Sequence, residues 1–236
     1  MKTKKDNSDQ EPYIIVIPVY DNVDLMDIAA PREIFTWLNG DASFDRDIQI
    51  YFVGENETFY TIGDVTMNSD ANFNDAHVQN PHLMWVPGGH PDALQIILED
   101  PDSPFTAYVK RASENAEWVC SVCEGAVLLA NTGLLDGHDI TTHWKFVHCF
   151  GDFPKVHVVL GTPRYVKSGN RVTGGGISSA IDQSLFLVEL IAGTESAMEV
   201  QLTMQYFPNP PVQAELYPID FCPVPGIDYI PDPSDN

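Results

Sequence analysis

The chain has 236 residues, with 34 Asp and Glu against 12 Lys and Arg, a formal net charge of -22 and a pI near 4.3. A field of that sign repels phosphate backbones, so nucleic-acid binding is not expected. The acidic excess reads as a solvated, solubilising surface, or as adaptation to a salty cytoplasm where screening weakens self-repulsion.

In chain order, residues 1–12 are charged and polar and read as a flexible tail, with no apolar signal-peptide segment after them. The run YIIVIPVY, 13–20, is the pattern of a strand buried on both faces, and is too short to span a bilayer. Residues 24–38 read as a helix with Ile28, Ile34, Phe35 and Leu38 on its stripe and Asn39-Gly40 as its stop. IQIYFVG, 48–54, is a second buried strand. Residues 58–70 read as a hairpin around Gly63-Asp64. HLMWVPGG, 82–89, is a third buried strand entering a Pro-Gly-Gly turn. Helices are expected near 92–99 and 104–115, a fourth strand at 117–123, and a buried helix at 125–133 stopped by Gly133. Residues 163–174 read as two short strands joined at Ser168-Gly169-Asn170, followed by helices at 178–193 and 195–206. This alternation predicts an α/β domain over 13–207, a mostly parallel central sheet with helices on both faces. From Pro208 onward eight of the last 29 residues are proline. Segment 208–236 is therefore neither a long helix nor a central strand. It reads as an arm anchored by Phe207, Leu216, Tyr217, Phe221 and Tyr229, or else as a disordered tail.

The four cysteines are Cys120, Cys123, Cys149 and Cys222. Without an export signal they are expected to be reduced thiols in the cytoplasm. Cys123 stands where the fourth strand turns into a helix. Carboxyl ends of parallel strands collect reactive groups, and a helix N-terminus favours a thiolate. Gly125 permits a tight turn and close approach of a substrate. A buried, inert cysteine is the competing reading. Cys120 and Cys123 also spell C-x-x-C. Along an extended strand they are roughly 10 Å apart, beyond the about 4.4–6.8 Å that a disulfide spans, so Cys120 is assigned to core packing. His143 and His148 lack helical metal-pair spacing and no third ligand suggests itself, so no metal is expected. No cofactor is expected either.

Four stretches then carry a resemblance: DLMDIAAPREIF at 24–35, WVPGGH at 85–90, SVCEGAVLLANTGLLDGHDITTHW at 121–144 and RVTGGGISSAID at 171–182. Together they resemble the ThiJ/PfpI family, over roughly residues 13–206, and within it most closely the isonitrile hydratases and the sensor domains of related regulators. The resemblance implies a flavodoxin-like three-layer sandwich, a homodimer, a small-molecule substrate and a cysteine nucleophile, Cys123. It implies that Asp27, in Asp27-Ile-Ala-Ala-Pro31, is the acid that approaches the thiol. On the residues alone Asp27 reads rather as the end of a D-x-x-D capping box begun at Asp24. Asp21 and Asp24 read as surface or capping acids, and Glu33 as a lesser alternative to Asp27. Gly89 and His90 close the third strand, where backbone N–H groups are expected to face the thiol together with the Glu124 amide. His143 lies in a family-typical stretch and is a candidate substrate contact or a satisfied structural histidine. Gly174–Gly176 are expected to pack closely against the site.

One departure stands out. Isonitrile hydratases usually carry Thr after the cysteine and the peptidase branch carries His; this chain has Glu124. The absent His removes a Cys-His dyad. Glu124 is expected to raise the thiol pKa if both are desolvated, or to orient water. The resulting expectation is a cofactor-independent hydratase. The alternatives are glyoxalase- or deglycase-like thiol chemistry, or a non-catalytic ligand or oxidation sensor.

Overall fold

The computed structural model describes residues 10–39 and 44–227. Its apolar runs become strands and its amphipathic runs helices. In chain order these are β1 (Tyr13–Pro18), α1 (Leu25–Leu38), β2 (Ile48–Gly54), β3 (Thr58–Tyr60), β4 (Thr66–Asn68), β5 (Ala71–Asn72), β6 (Leu83–Val86), α2 (Pro91–Glu99), α3 (Pro104–Ser113), β7 (Trp118–Ser121), α4 (Gly125–Asn131), β8 (Asp139–Ile140), β9 (His157–Val158), β10 (Tyr165–Ser168), β11 (Arg171–Gly174), α5 (Ser179–Ala192) and α6 (Thr194–Thr203). Strands β10-β11-β7-β6-β1-β2-β5 form one sheet, parallel throughout except for the β10–β11 hairpin. The expected flavodoxin-like α/β architecture is the one observed.

Side chains on successive strand positions point to opposite faces, and β1 and β6 fill both. Ile15, Ile17, Leu83 and Trp85 face a core shared with Ile28, Ile34, Phe35 and Leu38 of α1 and with Leu187 and Val188 of α5. Val16, Met84 and Val86 face the other core, with Leu94 of α2, Tyr108 and Val109 of α3 and Leu128 of α4. The chain passes from β1 to β2 on one side and later adds β6 on the other, so the order reverses at β1. That reversal opens a crevice at the strands' carboxyl ends, where open α/β sheets bind ligands.

Pro31 lies inside α1 and lacks the N–H that would bond the carbonyl four residues back. The freed carbonyl is that of Asp27, and it accepts from Trp85 Nε1 at 2.8 Å. The start of α1 is thereby tied to β6.

The hairpin β3–β4 turns through Gly63 and Asp64, both with positive φ, as the Gly-Asp pair predicts. The stop residue Gly40 lies outside the described residues, as do Tyr229 and nine of the twelve expected tail positions. In the arm, Cys222 and Val224 enter the core, whereas Phe207, Leu216, Tyr217 and Phe221 are each more than half exposed. Tyr217 nevertheless meets the Trp144 ring edge-on at 5.0 Å, and a covalent anchor holds the arm as well.

That anchor corrects the expectation of four reduced thiols. Cys149 and Cys222 form a disulfide across 73 residues, and only Cys120 and Cys123 are free. Closing a loop of this length removes about 4 kcal/mol of unfolded-chain entropy in the chain-entropy account. The pairing was hidden because the two residues meet only through tertiary packing. It also withdraws the support that reduced thiols gave to a cytoplasmic location. No helix among the described residues is long and apolar enough to cross a membrane.

Candidate active site

The site is built around the turn from β7 into α4. Cys123 has φ +56°, a left-handed conformation unusual outside glycine, and costing about 1–3 kcal/mol. Three contacts impose it. The Cys123 N–H donates to Gly175 O at 2.8 Å, and Thr142 Oγ1 donates to Cys123 O at 2.8 Å. Gly125 lies so close to β6 that a Cβ there would collide with Val86 O and Pro87. Gly125 therefore serves close backbone approach to the end of β6. Gly175 bears out the expected close packing of the glycine run.

Asp27 comes to the thiol from α1. It is fully buried, and its Oδ2 accepts from the Gly88 N–H at 2.9 Å. Its Oδ1 and Glu124 Oε2 are buried without hydrogen-bond partners. One ligand-type atom from each of Asp24, Asp27, Cys123 and Glu124 lies within 4.8 Å of all the others. Such a set could hold a divalent cation if all four groups were ionised. Burial opposes that: two like charges 4.8 Å apart repel by about 3.5 kcal/mol even at an effective dielectric of about 20. Protons are the less costly way to neutralise the cluster.

The acidities follow. Burial pushes the Cys123 thiol well above its ordinary value, and the charges of Asp27 and Glu124 push it further; a hydrogen bond from the Glu124 N–H works in the opposite direction. Burial, then Glu124 and Asp24, hold Asp27 well above the usual carboxylate range, against the lowering effect of Gly88 N–H. Burial raises Glu124 from 4.5 to about 7, while its hydrogen bond with the thiol lowers it. The expectation of a thiolate stabilised by the helix N-terminus is therefore corrected: the sulfur is fully buried among acids, and α4 has only seven residues.

Of the residues singled out from sequence, Cys123, Asp27 and Glu124 come together. Asp24, read as a capping or surface acid, joins them; it makes no side-chain cap bond, and burial raises its pKa. Gly89 packs on Asn22 O and the Tyr20 ring. The neighbouring Gly88 N–H is used by Asp27, so the expected pair of donors facing the thiol is reduced to the Glu124 N–H. His90 is half exposed and caps α2, accepting from Asp92 N–H. His143 caps a 3-10 segment, Trp144–Asp152, accepting from Lys145 N–H. Burial, and then Lys145, lower its pKa. Its ring abuts Gly176 and lines a pocket of about 530 Å³ with Met26, Thr142, Arg164 and Gly175. Glu33 is bonded to Trp37 on the exposed side of α1, and Asp21 is exposed and accepts from Tyr60 N–H. Tyr20, Trp85 and Thr142 were missed as site residues. The signal for Trp85 was Pro31, which announces an unpaired carbonyl four residues earlier.

A profile described as the DJ-1/PfpI family matches residues 14–190. The chain is 28% identical over 194 residues to the isonitrile hydratase of Pseudomonas putida, covering 82% of this chain and 78% of that protein. The crystal structure of a THiJ/PfpI family protein from Pseudomonas syringae superposes with a TM-score of 0.76 at 25% identity, over 87% of this chain and 79% of the other. Drosophila melanogaster DJ-1beta shares the fold, with a TM-score of 0.67 at 18% identity over 83% and 98% of the two chains.

The acid cluster has a consequence for stability. With Glu124 raised from 4.5 to about 7, the folded chain keeps a proton that the unfolded chain releases over that interval. Stability is therefore greatest on the acidic side and is lost as pH rises through about 7, with Asp27 acting in the same direction. The thermal midpoint should fall across this interval, and Glu124→Gln should fall less steeply. A wild-type midpoint that rises, or identical slopes, would contradict the assignment.

Proposed function

The chain belongs to the DJ-1/PfpI family, and from that premise we propose that it is a cofactor-independent, cysteine-dependent lyase of the isonitrile hydratase type. The observation that carries the reading is a buried thiol with two buried carboxyls within 4.8 Å, burial raising Glu124 to about 7 and Asp27 well above the usual carboxylate range. A base works best with a pKa near the operating pH, and an acid must still hold its proton there.

Glu124 takes the thiol proton as sulfur attacks the terminal carbon of the isonitrile, forming the carbon–sulfur bond. Asp27 gives its proton to that carbon, leaving the thioimidate R–N=CH–S–Cys123. The proton on Glu124 passes back to Asp27 within the cluster. Water then adds across the C=N bond, hydroxyl to carbon and proton to nitrogen. The carbon–sulfur bond breaks, sulfur recovers a proton from the hydroxyl, and R–NH–CHO leaves. Isonitrile and water give the formamide with no electron transfer. Glu124 thus supplies a base at the position where isonitrile hydratases usually carry Thr. Entry is through the pocket bordered by Met26, Thr142, His143 and Gly175, the last of which bonds the Cys123 amide. The oxidation-sensor alternative has less support, because it asks for an exposed, acidic thiol.

The proposal includes a second copy of the chain as partner. Leu25 and Met26 are exposed at the start of α1, beside Ile62 and Val65 of the β3–β4 hairpin, which is tied to α1 by Ile62 N–H donating to Val23 O. Pairing of copies would cover this apolar face.

A panel of simple alkyl isonitriles should yield the corresponding formamides. Cys123→Ala should abolish turnover, Asp27→Asn should lower it by about 10²-fold or more, and a chelator should leave it unchanged. Absence of turnover across the panel would remove the reading, and lactate from methylglyoxal in its place would move the chain to the glyoxalase-like alternative. In sedimentation velocity the wild type should run as a dimer and Val65→Asp as a monomer; a monomeric wild type would contradict the pairing.

A further inference from the structure

A second cavity lies at the carboxyl ends of β1 and β2, on the far side of Tyr20 from the thiol. It encloses about 520 Å³ between the β2–β3 loop and hairpin on one side and α2 and the α2–α3 connection on the other. That is ample for a small organic ligand. Its floor is aromatic and buried: Phe59, Phe73 and Phe105, with the Tyr20 ring edge-on to Phe105 at 5.3 Å. Its rim carries four carboxylates, Asp21, Glu55, Asp92 and Asp100, and none of the lining residues is Lys, Arg or His. Among the described residues Asp21, Glu55 and Asp100 make no ion pair, and Asp92 meets only His90.

We infer that this cleft is a binding site for a small organic cation, an ammonium or quaternary ammonium group carried on an apolar body. The two halves of the cavity ask for the two halves of such a ligand. Aromatic faces attract a cation through their quadrupole and bury its alkyl or aryl part. The rim acids supply opposite charge where no protein cation competes. Anions are repelled by the same rim. A neutral apolar ligand would fill the floor and leave the acids unused. Three further features suit an occupant. Ser69 Oγ, in the cleft wall, is buried without a hydrogen-bond partner. Ile96 is 71% exposed and Tyr60 40% exposed, so both stand at the lip with apolar surface to cover a guest. Tyr20 ends at Pro87, its hydroxyl donating to that carbonyl at 3.2 Å. The guest therefore rests on the side chain that separates the cleft from Asp27 and Cys123. The inference stands on this cavity alone and does not require the thiol chemistry proposed above.

The test is a titration of the full chain with benzyltrimethylammonium at fixed, physiological ionic strength, followed by calorimetry and by methyl resonances of Ile96, Ile97 and Ala93. Saturable 1:1 binding that shifts those methyls is expected. Asp21→Asn with Glu55→Gln should weaken it about tenfold, as should Tyr60→Ala. Glu195→Gln with Glu199→Gln, which removes the same charge from exposed positions on α6, should leave it unchanged. Benzyl alcohol should bind at least tenfold more weakly. Absence of saturation, equal loss in the α6 variant, or equal affinity for benzyl alcohol would overturn the inference. The first would mean that the cleft takes no such ligand, the second that a generally acidic surface attracts cations, and the third that the cavity is merely apolar.

Discussion

The structure turns on a conflict between burial and charge. A thiol and two carboxyls are buried together, with a third carboxyl at their margin. Such a group cannot be fully ionised without repulsion of several kcal/mol per pair. Protons therefore remain in the site at pH values where free carboxylates have lost them. The same burial holds the sulfur's pKa above its ordinary value, so in the proposed reaction nucleophilicity comes from proton transfer during attack rather than from a preformed thiolate.

The fold keeps this arrangement in place by contacts drawn from four separated segments. Pro31 leaves a carbonyl for Trp85 to hold, fixing the residue whose carboxyl faces the thiol. Gly88 presents its amide to that carboxyl, and Gly175 and Thr142 clamp the backbone of Cys123. Gln183 of α5 donates to Ser121 O and Val172 O, bridging the neighbouring strands β7 and β11 beside the turn. Each of these contacts removes a way for the strained turn to relax, so that the sulfur and the acids stay within reach of one another.

The architecture was legible because its parts are local. Runs such as 13–18 and 83–86 are apolar at every position, which suits strands covered on both faces, and the Gly-Asp pair announces its own hairpin. The two-residue strands β5, β8 and β9 and the 3-10 segment after His143 were not visible, since tertiary contacts rather than periodicity create them. The same division applies to the site. Cys123, Asp27 and Glu124 were recognisable from motif and position. Glu124 raises the thiol pKa, as its place beside Cys123 suggested, but burial, the larger cause, was not legible, because sequence does not show how deeply the turn lies in the fold. Asp24 reads from sequence as a surface or capping acid, yet its position one turn from Asp27 places it at the cluster's edge. The Cys149–Cys222 bond was misjudged because a premise about compartment stood in for geometry that sequence does not contain.

The central claim is that burial, reinforced by Asp27 and Glu124, keeps Cys123 protonated at neutral pH. The most direct measurement is the ¹³Cβ resonance of Cys123 in cysteine-labelled protein, followed against pH. The account predicts no titration step below the ordinary thiol value of 9.0, and a downward shift of that step when Asp27→Asn and Glu124→Gln are combined. A wild-type step near or below neutrality would contradict it.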